Sequence, residues 1–95
     1  MKMQKQNSTV MYTADVHNEN DRLWANFVEF PEAFTEAANK EDLYDNLVNL
    51  LKIHVSGLHS LNEPIPVPLK NAEKKLTDDF HMKIPLNLKK LTENA

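Results

Sequence analysis

The sequence predicts a small α+β domain with one helix on a four-stranded sheet, in the order β-β-β-α-β. Residues 9–17 and 22–30 alternate in the manner of strands, and turn-forming residues 18–21 separate them. Between residues 43 and 58, apolar side chains recur at three- and four-residue steps, as on one face of an amphipathic helix. Residues 80–86 alternate again and form the last predicted strand.

The segment between the second strand and the helix contains a proline, a short strand and a cap. Pro31 lacks a backbone N–H and cannot continue a central strand. Residues 34–37 are predicted to form a short third strand. Asn39 is placed to cap the helix, because its side-chain oxygen can accept from amides of the first turn. The helix is expected to end at Gly57, a good C-cap residue, or at Leu61, because the apolar spacing continues beyond the glycine.

The chain of 95 residues suffices for one domain with a modest core. We expect residues 1–8 to be a flexible tail, residues 9–86 a single domain and residues 87–95 a short C-terminal tail. No apolar run reaches the ~20 residues of a membrane-spanning helix, and the polar N-terminus lacks the apolar region of a secretory signal. The chain has no cysteine, which excludes disulfides and fits the cytoplasm, where we expect the protein to be.

Several short motifs follow one another in order over residues 9–86. They are Tyr12-x-Ala14-x-Val16, the strand end Phe30-Pro31, the pair Thr35-Glu36, the capped helix and Ile65-Pro66-x-Pro68. In this order and spacing the chain resembles the HicB-like antitoxin family, in the stand-alone form of its N-terminal domain. It departs from the family at Ala37-Ala38, where Gly-Asp is usual, and at Leu43, where alanine is common.

The resemblance implies a partial ribonuclease-H-like fold, with one helix on a four-stranded mixed sheet. It also implies a non-enzymatic antitoxin that binds and blocks a small HicA-like RNA-cleaving toxin. The alternative is a stand-alone RNA-binding protein, a role given to such members mainly from their fold. The family's frequent C-terminal DNA-binding domain is not expected, because only nine residues follow Leu86. No cofactor is implied.

The second strand is apolar on both faces, where Trp24, Val28 and Phe30 alternate with Leu23, Ala25 and Phe27. One helix covers one face, so the other must meet solvent, a partner or a second copy. The alternative is that the segment 61–79 folds back over it. We predict a homodimer or higher homo-oligomer that uses this face or a sheet edge. The candidate interface residues are Tyr12, Trp24, Phe27 and Phe30. A purely structural role for Trp24 is the alternative.

The net charge of −3 does not favour a strongly basic nucleic-acid-binding domain. The C-terminal third of the chain is nevertheless rich in lysine, which binds phosphate without reading nucleotide sequence. The candidate nucleic-acid contacts of the alternative function are Lys70, Lys74, Lys75 and Lys83. The chain has only one arginine, so bidentate phosphate recognition is poorly supported.

We predict neither enzymatic activity nor a metal site. A ribonuclease-H-type nuclease needs several carboxylates around two metal ions. Asp15 can supply one, but Asp42 and Asp45 suit the positive end of the helix dipole, and no set of four can be assembled. His54 and His59 are five residues apart, which is not the spacing of a metal-binding pair on a helix.

Overall fold

A computed structural model describes residues 9–70 and 80–87 of the chain. Its elements are β1 (Thr9–Glu19), β2 (Arg22–Phe27), β3 (Phe34–Ala37), α1 (Lys40–Ser60) and β4 (Phe80–Asn87). The predicted α+β class and the order β-β-β-α-β are confirmed. The predicted tails, residues 1–8 and 87–95, lie outside the described residues except for Asn87, which ends β4.

The four strands form one antiparallel sheet in the order β3-β2-β1-β4. The last strand runs opposite to the first, with Val16 paired to Phe80 and Val10 paired to Leu86. The prediction of a mixed sheet is therefore wrong, and the ribonuclease-H-like arrangement is not confirmed. Nineteen residues, 61–79, connect the helix to β4. A connection of that length can lead into a strand of either direction, so the sequence pattern did not determine it.

The turn between β1 and β2 consists of Asn20 and Asp21, both with positive φ, 52° and 63°. Positive φ at both central residues is the type I′ turn, whose twist matches that of the strands it joins. Asn and Asp tolerate this left-handed conformation better than other residues with a side chain. The turn is shorter than the predicted 18–21, because the ladder continues to the pair Glu19 and Arg22.

The core lies between α1 and one face of the sheet. The helix buries Leu43, Leu47, Leu51 and Val55. The sheet contributes Tyr12, Ala14 and Val16 of β1, Ala25 and Phe27 of β2, Ala37 of β3, and Ile84 and Leu86 of β4. After β2 the chain bends, and the bend adds Phe30 and Ala33 to the same core. The bend is closed by the N–H of Phe27, which donates to the carbonyl oxygen of Ala33 at 3.2 Å.

Both helix ends are capped by asparagine. The side chain of Asn39 accepts from the N–H of Asp42 at 2.8 Å, which confirms the predicted N-cap. At the other end, Asn62 has a φ of 57°, and its N–H donates to the carbonyl oxygen of His59. The next N–H, that of Glu63, donates to the carbonyl oxygen of Leu58, which completes a Schellman motif. Gly57 is therefore not the cap, and the later of the two predicted ends is correct.

The face of the sheet that points away from α1 is called the open face. Its side chains are Met11, Thr13, Asp15 and His17 of β1, Arg22, Trp24 and Asn26 of β2, Phe34 and Glu36 of β3, and His81, Lys83 and Pro85 of β4. Most of them are polar or charged. The second strand was predicted to be apolar on both faces. Of the set Trp24, Val28 and Phe30, only Trp24 and Val28 lie on the open face, and Phe30 is in the core.

Both edges of the sheet carry a feature that opposes pairing with another chain. The backbone N–H and C=O groups of Thr13 point toward β2. Lys83 is the β4 partner of Thr13, so its backbone groups point away from β1, toward the outer edge. Pro85, two residues further along β4, has the same orientation. Pro85 has no N–H to donate there. On β3, the carbonyl oxygen of Glu36 accepts from the side-chain amide of Asn46 at 3.1 Å. Edge pairing, one of the two predicted routes to a homo-oligomer, is therefore disfavoured.

Candidate binding surface on the open sheet face

Trp24 lies at the centre of the candidate site, where its ring stacks on the His17 ring with centroids 4.0 Å apart. The two residues are cross-strand partners of β1 and β2, so the ladder brings the rings together. His17 Nε2 lies 3.1 Å from Asn26 Oδ1 and 3.6 Å from Asp15 Oδ2. One face of the Trp24 indole thus packs on a polar cluster, and its other face is available for contact with a partner.

One groove lies between Trp24 and the β3 edge, and we call it the Trp24–Phe34 groove. Its volume is about 520 Å³, and its lining residues are Glu19, Asn20, Arg22, Leu23, Trp24, Phe34 and Glu36. Apolar surface is supplied by the two aromatic rings. Carboxylates of Glu19 and Glu36 stand at the rim, and Arg22 Nε donates to Glu36 Oε1 at 2.9 Å. This groove can accept a partner group that is both flat and positively charged.

A second groove, of about 550 Å³, lies on the inner side of Trp24. It is lined by Asp15, His17, Trp24, Asn26, Val28, Pro31 and Leu69. Leu69 belongs to the connection after α1, so the described part of that connection does reach the open face. The predicted alternative, in which the segment 61–79 covers this face, agrees with the structure at Leu69. Residues 71–79 lie outside the described part of the chain.

A carboxylate that the sequence analysis did not single out, Glu29, joins the connection to the sheet. Glu29 accepts from the N–H of Thr13 at 3.3 Å with one oxygen and from the N–H of Leu69 at 3.1 Å with the other. On the helix side, the Tyr12 hydroxyl donates to the carbonyl oxygen of Pro66 at 2.7 Å. No periodic pattern identifies Glu29, because it lies in the bend after β2 and its two donors are distant in sequence.

Burial raises the pKa of the Tyr12 hydroxyl above its usual value of 10.0, and the charge of Glu29 adds to the effect. A pKa that is higher in the folded than in the unfolded chain contributes stability below the unfolded value and loses it as pH rises through the folded value. We expect the unfolding free energy of Tyr12→Phe to fall less steeply above about pH 10 than that of the unaltered chain. Urea unfolding at a series of alkaline pH values measures this slope.

The variant Tyr44→Phe, on the exposed side of α1, corrects for the general effect of removing a phenol. If the alkaline decline of Tyr12→Phe equals that of the unaltered chain, the raised pKa does not contribute to stability.

Three of the four predicted interface residues belong to the core of the chain itself. Tyr12, Phe27 and Phe30 are at most 3% exposed and lie under α1. Their assignment to a surface that contacts a partner is therefore wrong in this structure. The exception is Trp24, which lies on the open face, half-buried and next to exposed Phe34. Phe34 was not predicted as a site residue, although its place two residues before Glu36 on a short edge strand puts it beside Trp24.

Two of the four predicted lysine contacts, Lys70 and Lys83, lie within the described residues. Lys83 lies on the open face, and its Nζ donates to Thr13 Oγ1 at 2.8 Å. Lys70 is exposed at the end of the described connection. Lys74 and Lys75 lie outside the described residues. The whole chain has 14 acidic and 11 basic side chains, which gives a net charge of −3.

The histidines and carboxylates are dispersed. Within residues 9–70 and 80–87, no three of them are arranged to hold a metal ion. His54 stacks on Phe30 with centroids 4.6 Å apart, and its Nε2 lies 3.6 Å from Glu32 Oε2. A packing role thus accounts for His54. None of the described helices is long and apolar enough to span a membrane.

No family model, no curated protein and no solved structure matches this chain at a significant level.

Proposed function

We propose that the chain is a non-enzymatic binding protein of the HicB-like antitoxin kind, which holds a small basic RNA-cleaving toxin against its open sheet face. The observation that carries the proposal is the surface around Trp24. Two aromatic side chains, Trp24 and Phe34, lie next to carboxylates on a sheet whose opposite face is fixed by the core. Aromatic anchors surrounded by charge are typical of protein–protein contact sites.

The charge of the chain favours a basic partner. A net charge of −3 attracts a positively charged protein and speeds its encounter, and it repels the phosphates of nucleic acid. Acidic side chains stand on the open face and at the nearby hairpin and helix start: Glu19, Asp21, Glu36, Glu41 and Asp42. The partner class implied by the resemblance, a small HicA-like toxin, has to carry basic side chains to bind RNA itself.

The direct test is co-expression with a small HicA-like toxin encoded beside the gene. We expect the toxin to co-purify with the chain and its RNA cleavage to be inhibited. The variant Phe34→Ala should weaken the complex about tenfold, as truncation of an interface aromatic usually does. Ile53→Ala is the matched control, because Ile53 is 71% exposed on the outer side of α1. The proposal fails if toxin binding is absent, or if both variants bind equally well.

The alternative, a stand-alone RNA-binding protein, is supported by the same two rings. Aromatic side chains on an open sheet face are the usual platform for stacking single-stranded bases. Gel-shift binding of single-stranded RNA that falls steeply with salt, is lost in Trp24→Ala and occurs without a toxin partner would favour this alternative. The net charge of −3 opposes it.

Self-association through the open face remains a prediction. Light scattering coupled to size exclusion at micromolar concentration measures the oligomeric state.

A further inference from the structure

We infer that the Trp24–Phe34 groove binds the guanidinium group of an arginine side chain from the partner, an inference that rests on the proposed binding function. Four features of the groove lead to it: its two aromatic walls, its two carboxylates, an ion pair that already holds a guanidinium there, and the rigidity of the turn beside it. Each is present in the described residues.

The walls suit a flat cation. Trp24 pairs with Glu36 across β2 and β3, so Phe34, two residues earlier on β3, is the diagonal neighbour of Trp24 on the same face. Trp24 rests on His17, which fixes the orientation of the indole, and Phe34 is 64% exposed. A guanidinium is planar and weakly hydrated, so it stacks on aromatic rings at a smaller desolvation cost than an ammonium group.

The carboxylates supply the negative charge and the hydrogen-bond acceptors that orient a guanidinium. Glu36 accepts from Arg22 Nε at 2.9 Å, which shows that this carboxylate already receives a guanidinium at the groove. Both members of the pair are more than half exposed, and exposed ion pairs contribute little to stability. A partner's arginine can therefore share Glu36 with Arg22, or replace Arg22, at little cost. Glu19 provides a second carboxylate across from it.

The backbone position of Glu19 is fixed by the tight turn. Asn20 and Asp21 hold positive φ values, and the ladder ends in the pair Glu19 and Arg22 directly next to them. The backbone that carries Glu19 at the edge of the groove is thus set before the partner binds. A pair of carboxylates beside two rings distinguishes arginine from lysine, because the fixed fork of donors of a guanidinium matches carboxylate geometry and an ammonium does not.

The groove can be tested directly because Trp24 is the only tryptophan of the chain. Its fluorescence is followed while the full chain is titrated, in low-salt buffer, with three blocked pentapeptides that differ only in a central arginine, lysine or citrulline. We expect a saturable change with the arginine peptide, binding about fivefold weaker with lysine, and none with neutral citrulline. Equal responses to arginine and citrulline, or no response to arginine, would overturn the inference.

Charge-neutralising variants supply the second arm. The double variant Glu19→Gln with Glu36→Gln should lose about tenfold in affinity for the arginine peptide. Asp45→Asn, an exposed carboxylate on α1 outside the groove, is the control and should leave that affinity unchanged. If both variants lose the same affinity, peptide binding depends only on the net charge of the protein, and the inference is overturned.

The toxin experiment separates the two proposals. If a HicA-like toxin binds the unaltered chain and the Glu19→Gln, Glu36→Gln variant equally, the arginine contact is wrong and the proposed function stands. If the peptides behave as expected and no toxin binds, the inference that the groove binds arginine stands and the proposed antitoxin function is wrong.

Discussion

Replacing Phe27 by alanine is expected to lower the free energy of unfolding by about 3–5 kcal/mol. Phe27 is 0% exposed, its ring lies 5.0 Å from that of Phe30, and it lies within the core that α1 covers. The variant loses the burial of a large apolar side chain and leaves a cavity that the paired strands cannot close. Because small domains are stable by only about 5–15 kcal/mol, a large share of the stability is lost. Urea unfolding followed by circular dichroism measures it.

The matched control is Phe34→Ala, which removes the same atoms from the open face. Phe34 is 64% exposed, so we expect its removal to change the unfolding free energy by no more than about 0.5 kcal/mol. The comparison tests the placement of Phe27 in the core against its prediction as an interface residue. An interface role would leave the stability of an isolated Phe27→Ala chain nearly unchanged.

Local patterns in the sequence were sufficient for most elements. Alternation located β1 and β4, the run 34–37 located β3, and the cap at Asn39 located the start of α1. Each of these signals operates over a few residues, and nothing distant overrides it. The stop at Ser60 depends on Asn62, whose left-handed conformation was not anticipated because glycine is the commoner residue there.

Which side of the sheet faces the helix was harder to predict. Alternation sorts a strand into two sets and does not say which set is buried. Phe30 was grouped with Trp24 because the strand was extended to residue 30. The strand ends at Phe27, and the following bend turns Phe30 back toward the core, where its ring lies 5.6 Å from that of Tyr12. An error of three residues at one strand end thus moved an aromatic side chain to the wrong face.

The candidate site could be predicted only in part, because it depends on register. Trp24 was predicted as an interface residue because the second strand is apolar on both faces. Its neighbours Phe34 and Glu36 come from β3, and only the β2–β3 pairing places them beside it. The direction of β4 is likewise a property of a long connection, and local signals do not encode it.

Replacing Glu29 by alanine is expected to lower the free energy of unfolding by about 2–3 kcal/mol. The carboxylate accepts from two backbone amides, and that of Thr13 belongs to a residue only 1% exposed in the central strand. Without Glu29 this buried N–H loses its acceptor, which costs more than the loss of an exposed hydrogen bond. The amide of Leu69 lies in an exposed segment, so water can replace Glu29 there. Urea unfolding measures the loss.

The control is Glu32→Ala, which removes a largely exposed carboxylate three residues away and should change stability by no more than about 0.5 kcal/mol. Amide hydrogen exchange then identifies the cause. The Thr13 and Leu69 amides should exchange faster in Glu29→Ala than global unfolding explains, while amides at the centre of α1 follow the global change. Glu29→Gln retains an acceptor and should lose less stability than Glu29→Ala. If the two Glu29 variants are equally stable, or if Leu69 stays protected, Glu29 does not hold the connection to the sheet.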